Sequence, residues 1–217
     1  KDFDGTEAGA RAGSFDTYDL FVQHGGTYQG WDIYASLEYQ TSKGDSSRII
    51  ESDLQTVLDG AFGTNASVTP ATLETGYENL DMHLGLIKDN WTFRLWGEVQ
   101  DSDNYDGVTN VVAHGSDLDI DQYLADLTYE NDDLVKDFTL TGRLYFMYFK
   151  QDALLQIFPD GAVLPIGADG NIDLATPAGV TYFPDGVWGK PIQTDKQTGL
   201  ELTALYQGLD THRIRSA

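Results

Sequence analysis

Cysteine is absent from the 217 residues, which excludes disulfide frameworks, thiolate metal sites and cysteine nucleophiles. That absence identifies no compartment. Basic side chains are scarce: 13 Lys and Arg stand against 35 Asp and Glu, a formal net charge of −22. With no basic stripe to displace counterions from phosphates, nucleic acid is excluded as a partner. The same acidity opposes attraction to an anionic membrane surface. Long apolar runs are missing as well, none approaching the ~20 residues of a membrane helix. The opening Lys1-Asp2-Phe3-Asp4-Gly5 lacks the apolar centre of a signal peptide.

What the chain does have is alternation. In NWTFRLWGEVQ, Trp91, Phe93, Leu95, Gly97 and Val99 fall on one parity, and Thr92, Arg94, Trp96, Glu98 and Gln100 on the other. Side chains of an extended chain point alternately to opposite faces, so this is a strand with one apolar and one mostly polar face. The pattern recurs in GWDIYASLEYQ, NLDMHLGLI, YLADLTYEN, DFTLTGRLYFMYFK and TGLELTALYQG, and more weakly in TEAGARAGSF and YDLFVQHGG. About eight strands and the start of a ninth, in THRIRSA, are predicted.

The connections alternate in length. Short ones lie near Thr27–Gly30, Lys88-Asp89-Asn90, Asn131–Lys136 and Gly208–Thr211; long ones run over about 42–77, 103–117 and 152–195, beyond the ~2–5 residues of a hairpin loop. Strands joined this way have their short turns at one end and their long loops at the other. The brief link around SFDTY is the exception. In ESDLQTVLDGAFG, Leu54, Val57, Leu58 and Phe62 have helical spacing, and Ser52 with Gln55 has the spacing of a capping box, so a short helix is predicted. FPDG occurs at Phe158–Gly161 and at Phe183–Gly186, and Pro-Asp-Gly marks two similar turns.

A soluble β-sandwich also alternates apolar and polar residues. Three features favour a bilayer instead. Several runs extend about 10–13 residues, whereas soluble strands cluster near 5–6 and tilted membrane strands need about 9–11. The long loops share one side, as in outer-membrane barrels. Glu38, Asp81, Arg94, Glu98, Asp126, Arg143 and Glu201 all occupy the polar parity, while the middle of the apolar parity is free of charge. A basic residue facing lipid at mid-bilayer costs about 2–4 kcal/mol, which explains such exclusion. Trp31, Tyr39, Trp91, Tyr123, Tyr129, Tyr148 and Tyr206 at the run ends fit interfacial girdles. The expected fold class is therefore all-β: a segment of an antiparallel up-and-down transmembrane β-barrel with long loops on one side and a short helix in one of them. The seven charged residues are expected to face its lumen.

TEAGARAGSFDTYDLFVQHGG resembles the beginning of the barrel in TonB-dependent outer-membrane receptors, whose first barrel strand closes in Gly-Ser-Phe-x-Thr; here Gly13-Ser14-Phe15-Asp16-Thr17 stands in that place. SRIIESDLQTVLDGAFGT, QYLADLTYEN and HRIRSA are similar to further blocks of one branch of these receptors. The resemblance spans essentially the whole chain. It implies active uptake of a scarce nutrient such as a ferric siderophore, haem, cobalamin or a large glycan, driven by an inner-membrane complex that pulls on a plug. Its implied partners are the TonB complex through that plug, outer-membrane lipid and lipopolysaccharide, and an extracellular nutrient ligand; its implied location is the bacterial outer membrane. Plug and coupling box are not among these residues, and the strands fall short of the about twenty-two such transporters carry. The expectation is a piece of a longer protein, with residues 1–217 as a partial barrel domain and two raw strand edges.

Other constellations are weaker. DSDNYDG, Asp101 to Gly107, followed by Asp117, Asp119 and Asp121, has a calcium-loop flavour. However, Tyr105 occupies a ligand position and the glycine comes one place late. A solvated loop is expected, with weak divalent binding as the sharper alternative. His24, His83, His114 and His212 lack metal-ligand spacing and are expected in the lumen, in turns or in loops. No nucleophile elbow is present, and Asp126 with Glu98 imitates a glycosidase dyad less economically than it forms a charged wall countered by Arg94 and Arg143. No catalytic residue, cofactor or metal is assigned. The three long loops are the expected substrate contacts. A passive porin-like or structural barrel and a soluble extracellular binding domain are the alternatives.

Overall fold

Backbone donors and acceptors of alternating strands must be paired somewhere, and here they pair with their chain neighbours. A computed structural model of the chain describes residues 3–103 and 109–216. The strands are β1 (Gly5–Gly13), β2 (Thr17–Tyr28), β3 (Trp31–Ser42), β4 (Ile49–Ile50), β5 (Ala71–Thr72), β6 (Tyr77–Lys88) and β7 (Trp91–Ser102), with a helix, α1 (Leu54–Phe62), between β4 and β5. They continue with β8 (Asp117–Val135), β9 (Phe138–Phe158), β10 (Ala162–Ile166), β11 (Gly179–Phe183), β12 (Val187–Gly189), β13 (Ile192–Tyr206) and β14 (Ile214–Ser216). The main sheet has the order β1-β2-β3-β6-β7-β8-β9-β13-β14, every pair antiparallel, with β12 added to β9. This is the up-and-down topology of a barrel wall, left open at β1 and β14. β4 with β5, and β10 with β11, form two small hairpin sheets within the loops.

The turns obey local chemistry. Gln29 and Gly30 join β2 to β3 with φ of 50° and 78°, the left-handed pair that a two-residue hairpin turn needs. The β1–β2 link is three residues, Ser14 to Asp16, closed by the Thr17 amide donating to the Ser14 carbonyl at 3.2 Å, with Phe15 and Asp16 at φ of 63° and 52°. The Gly-Ser-Phe-x-Thr stretch is thus itself a turn. It is pinned from β3, where the Lys43 amide donates to the Phe15 carbonyl at 3.0 Å and the Thr17 hydroxyl donates to Ser42 Oγ at 2.9 Å.

Two boundaries differ from the sequence expectation. β8 runs on to Val135 across an irregularity between Asn131 and Val135, because Asn131 Oδ1 accepts the amides of Asp133 and Leu134 and absorbs the extra residues. β9 reaches Phe158, so the third long loop is largely β structure. The helix is where its spacing predicts, but its cap is not. Asp53, not Ser52, is the N-cap, accepting the Thr56 amide at 2.8 Å while the Asp53 amide donates to Thr56 Oγ1. Ser and Asp are comparable caps by type, and Asp53 is selected by its further contacts with the Ser67 hydroxyl and the Val112 amide. Gln55 is buried and donates to Asp59 Oδ1 at 2.9 Å, and Val57 and Phe62 are exposed, leaving Leu54 and Leu58 to pack inward.

The buried core lies outside the sheet's apolar face. Leu58 of α1, Val111, Phe158, Ala162 and Leu164 form one cluster, flanked by Leu54, Ala66, Ile157, Phe183 and Val187. Leu118, Ala153 and Leu155 form a second, linked to the first through Ile157. Both FPDG turns abut this region: Gly161 and Gly186 sit at φ of 81° and 69°, and the Gly161 amide donates to the Phe183 carbonyl at 2.9 Å.

The cap assignment has a direct test. Asp53→Ala is expected to weaken α1 by about 1–2 kcal/mol, read as faster amide exchange over 54–60, whereas Ser52→Ala stays within about 0.5 kcal/mol.

Candidate functional site

Cross-strand partners share a face, so the register assigns every strand residue to one side of the sheet. Glu38 faces Asp81 and Asp81 faces Glu98, forming one row with Gln122. Arg94 faces Asp126, and Arg143 faces Glu201. All seven residues singled out by parity stand on the same face. They are not one cluster. The Glu38–Asp81–Glu98 row is acidic, with Asp81 accepting the Trp96 indole N–H at 2.8 Å and lying 2.8 Å from His83 Nε2.

Asp126 organises the opposite part of the face. Its side chain is 3 % exposed and sits 3.8 Å from Arg94 Nη1 and 3.3 Å from Arg143 Nη2. Arg143 reaches on to Glu201 at 3.7 Å and lies over the Tyr145 ring, 5.2 Å from its centroid. Parity identified these residues but missed Arg11, which pairs with Asp19 and Glu38 from the first hairpin. The signal for Arg11 is the same alternation, diluted in β1 by glycine and alanine. Tyr34 lies over Gly85 and Tyr145 over Gly199, each ring occupying the space a Cβ on the facing strand would need. Asp126 and Glu98 stand four residues apart along the sheet, about 13 Å at ~3.3 Å per residue, wider than the ~6.5–9.5 Å of an inverting carboxylate pair.

The apolar face carries Leu20, Val22, Ile33, Leu37, Leu84, Leu86, Phe93, Leu95, Leu127, Leu144, Phe146, Leu200 and Leu202. No second layer covers it among the described residues: Leu20 is 56 % exposed, Leu144 51 % and Leu202 66 %. The greasy band has two edges. At the turn end Tyr28, Trp31, Lys88, Trp91 and Tyr129 form one row, with Trp91 and Tyr129 rings 4.8 Å apart and Lys88 Nζ 5.3 Å from the Trp31 ring centre. At the loop end the same parity turns acidic in the row Glu78, Asp101, Asp119 and Asp152. His24 is a correction: it lies within the apolar-parity rows, facing Ala35, where its Nδ1 shares a hydrogen bond with Thr6 Oγ1 at 2.8 Å. His83 is on the charged face, His114 meets Glu74 in the loops at 3.2 Å, and His212 lies between β13 and β14.

Asp101, Asp117 and Asp119 gather with carboxylate oxygens within 4.8 Å of one another, all exposed. Asp121 stands apart, facing Val99 and Lys150. Asn104 to Gly107 of the calcium-like stretch lie outside the described residues. Elsewhere in the loops, burial works to raise the Asp59 carboxyl. Hydrogen bonds from Thr64, the Ser67 amide, Gln55 and the Ala66 amide outweigh it and hold the group below the usual carboxylate range. Asp173 is likewise lowered, by the Thr176 hydroxyl and the Thr176 and Ala175 amides.

The sequence matches no family model and no curated protein. Among solved structures the chain is similar to the closed form of the ferric-catecholate import receptor Fiu from E. coli K12, at 13 % identity and a TM-score of 0.42. The likeness covers 92 % of this chain and 31 % of that one, so the chain spans about a third of that receptor's length. The sheet itself is an open antiparallel meander whose long strands pair with their chain neighbours.

Asp126→Ala strands two guanidinium groups, and since both are partly hydrated the loss is expected near 2 kcal/mol in equilibrium urea unfolding. Glu98→Ala is expected to shift it by less than about 0.5 kcal/mol. The lowered Asp59 carboxyl stabilises the α1 loop above the unfolded carboxyl pKa near 3.9 and ceases to do so as pH falls through its lower folded value. Amide exchange over 55–67, corrected for its intrinsic pH dependence, is expected to stay level from pH 7 to about pH 5 and to accelerate below about pH 4.

Proposed function

We propose that this chain is part of the transmembrane barrel of a TonB-dependent outer-membrane receptor, which takes up a scarce nutrient, a siderophore-like chelate or another large solute, by active transport. The observation that carries the membrane half of the reading is the uncovered apolar face with its two polar edges. From Lys88 to Glu78 is ten residues along β6, about 33 Å of strand and about 25 Å of height at the ~40° tilt of outer-membrane barrels. That is the height of the apolar belt of such barrels. Aromatic rings and Lys88 at the turn end suit the interfacial girdle, where amphipathic rings and a snorkelling amine are stable.

The opposite face then lines the water-filled interior. Glu38, Asp81, Arg94, Glu98, Asp126, Arg143 and Glu201 are its charged wall, where hydration and pairing spare them the cost of facing lipid. The receptor half of the reading is supported by the Gly13–Thr17 turn motif and the three blocks that resemble the family, together with short turns on one side and long loops on the other. In this scheme the loops over 42–77, 103–117 and 152–195 capture solute outside. A plug belonging to the parent protein, coupled to the TonB complex, releases it through the lumen. The outer leaflet's lipopolysaccharide would meet the apolar face.

The four tryptophans allow the orientation to be read directly. In vesicles of brominated phosphatidylcholine, single-tryptophan variants retaining Trp31 or Trp91 are expected to be strongly quenched, and one retaining Trp96 weakly quenched. Equal quenching of Trp91 and Trp96 would remove the membrane reading. A reading frame that encodes a glycine-rich plug ahead of Lys1 is the expected finding for a receptor; its absence would favour a passive barrel.

A further inference from the structure

The three long loops, though far apart in sequence, share one interior. The buried cluster takes Leu58 from the first, Val111 from the second, and Phe158, Ala162 and Leu164 from the third. Polar contacts repeat that triangle. Asp53 Oδ1 caps α1 through the Thr56 amide, while Asp53 Oδ2 accepts the Val112 amide of the second loop at 2.8 Å. The Leu54 amide donates to the Asn110 carbonyl at 3.0 Å, the Thr109 hydroxyl to the Ile157 carbonyl at 2.9 Å, and the Gln156 amide to Ser116 Oγ at 3.1 Å. The Gly115 amide and His114 both meet the Glu74 carboxylate.

This body is fastened to one side of the sheet. Leu118 and Ile120 carry the parity of Gln122 and Asp126, and Leu118 faces Ala153. Their cluster therefore continues the charged face at its loop end and joins the loop core through Ile157. We infer that the loop segments 54–62, 109–116 and 157–166 form a single cooperative cover over the loop end of the charged face, which opens as one unit and not as three independent gates. A core residue shared by three segments loses its packing for all of them when any one leaves. The inference stands on the loop contacts alone and does not require the membrane reading.

Hydrogen exchange on the intact chain, reconstituted in detergent micelles with its sheet protected, tests it. Leu58→Ala removes the side chain that α1 inserts into the shared core. Exchange is expected to rise by about tenfold or more, by similar factors, in 54–62, 109–116 and 157–166 together, with β6 and β7 unchanged. A rise confined to 54–62, or unrelated factors in the three segments, overturns the inference. If Leu58→Ala also exposes β6 and β7, the milder Asp53→Asn is read by the same two outcomes. Because the chain has no cysteine, a Val57→Cys, Val180→Cys pair can carry spin labels on exposed positions of α1 and β11. One narrow distance distribution is expected; a broad or divided one overturns the single body.

Discussion

The central strands of the sheet are greasy on one side and ionised on the other, and the hydrogen-bond ladder fixes that choice for all of them together. A slip of one residue in any pairing would send Arg94 or Asp126 to the apolar side and Phe93 or Leu127 to the charged one. The two faces thus enforce the register as strongly as the turns do. Cross-strand rows follow from it: the acidic row through Asp81, the Arg94–Asp126–Arg143 group, and the aromatic row through Trp91. Burial of a carboxylate as complete as that of Asp126 is tolerated because two guanidinium groups and the Thr128 hydroxyl face it.

The same constraint moves the protein core. The sheet's apolar face is left uncovered among the described residues, and the tightly packed residues are found in the loops and at the loop end of the charged face. Loops of this length would lose much conformational entropy if held only by their ends. Here they carry their own helix, two hairpins and a shared cluster, which return enough contact to order them. Asp53 joins the first two loops with one carboxylate, and the paired FPDG turns bend the third back onto the core.

Most strands, the short turns, the loop side and the shared face of the seven charged residues were legible from alternation, because a side-chain period of two is a local property of extended backbone. The helix was legible from its spacing, whereas its cap was not: Ser52 and Asp53 are both good caps, and contacts with Thr56, Ser67 and Val112 select between them. β1 and β2 alternate weakly, so Arg11, Asp19 and the placement of His24 emerged only from the register. The end of β8 was misjudged because an Asn-Asp-Asp run has turn chemistry even where it forms an irregularity within a hairpin.

By itself the sequence determined an antiparallel, two-faced sheet with its long connections on one side, since propensity, parity and turn residues act within a few positions of one another. Only the tertiary structure decided which charges meet. Contact between Asp126 and two arginines, or among Leu58, Val111 and Phe158, joins residues many positions apart. Such contacts depend on strand stagger and loop path, which are set by the free energy of the whole assembled chain and leave no periodic trace in the sequence.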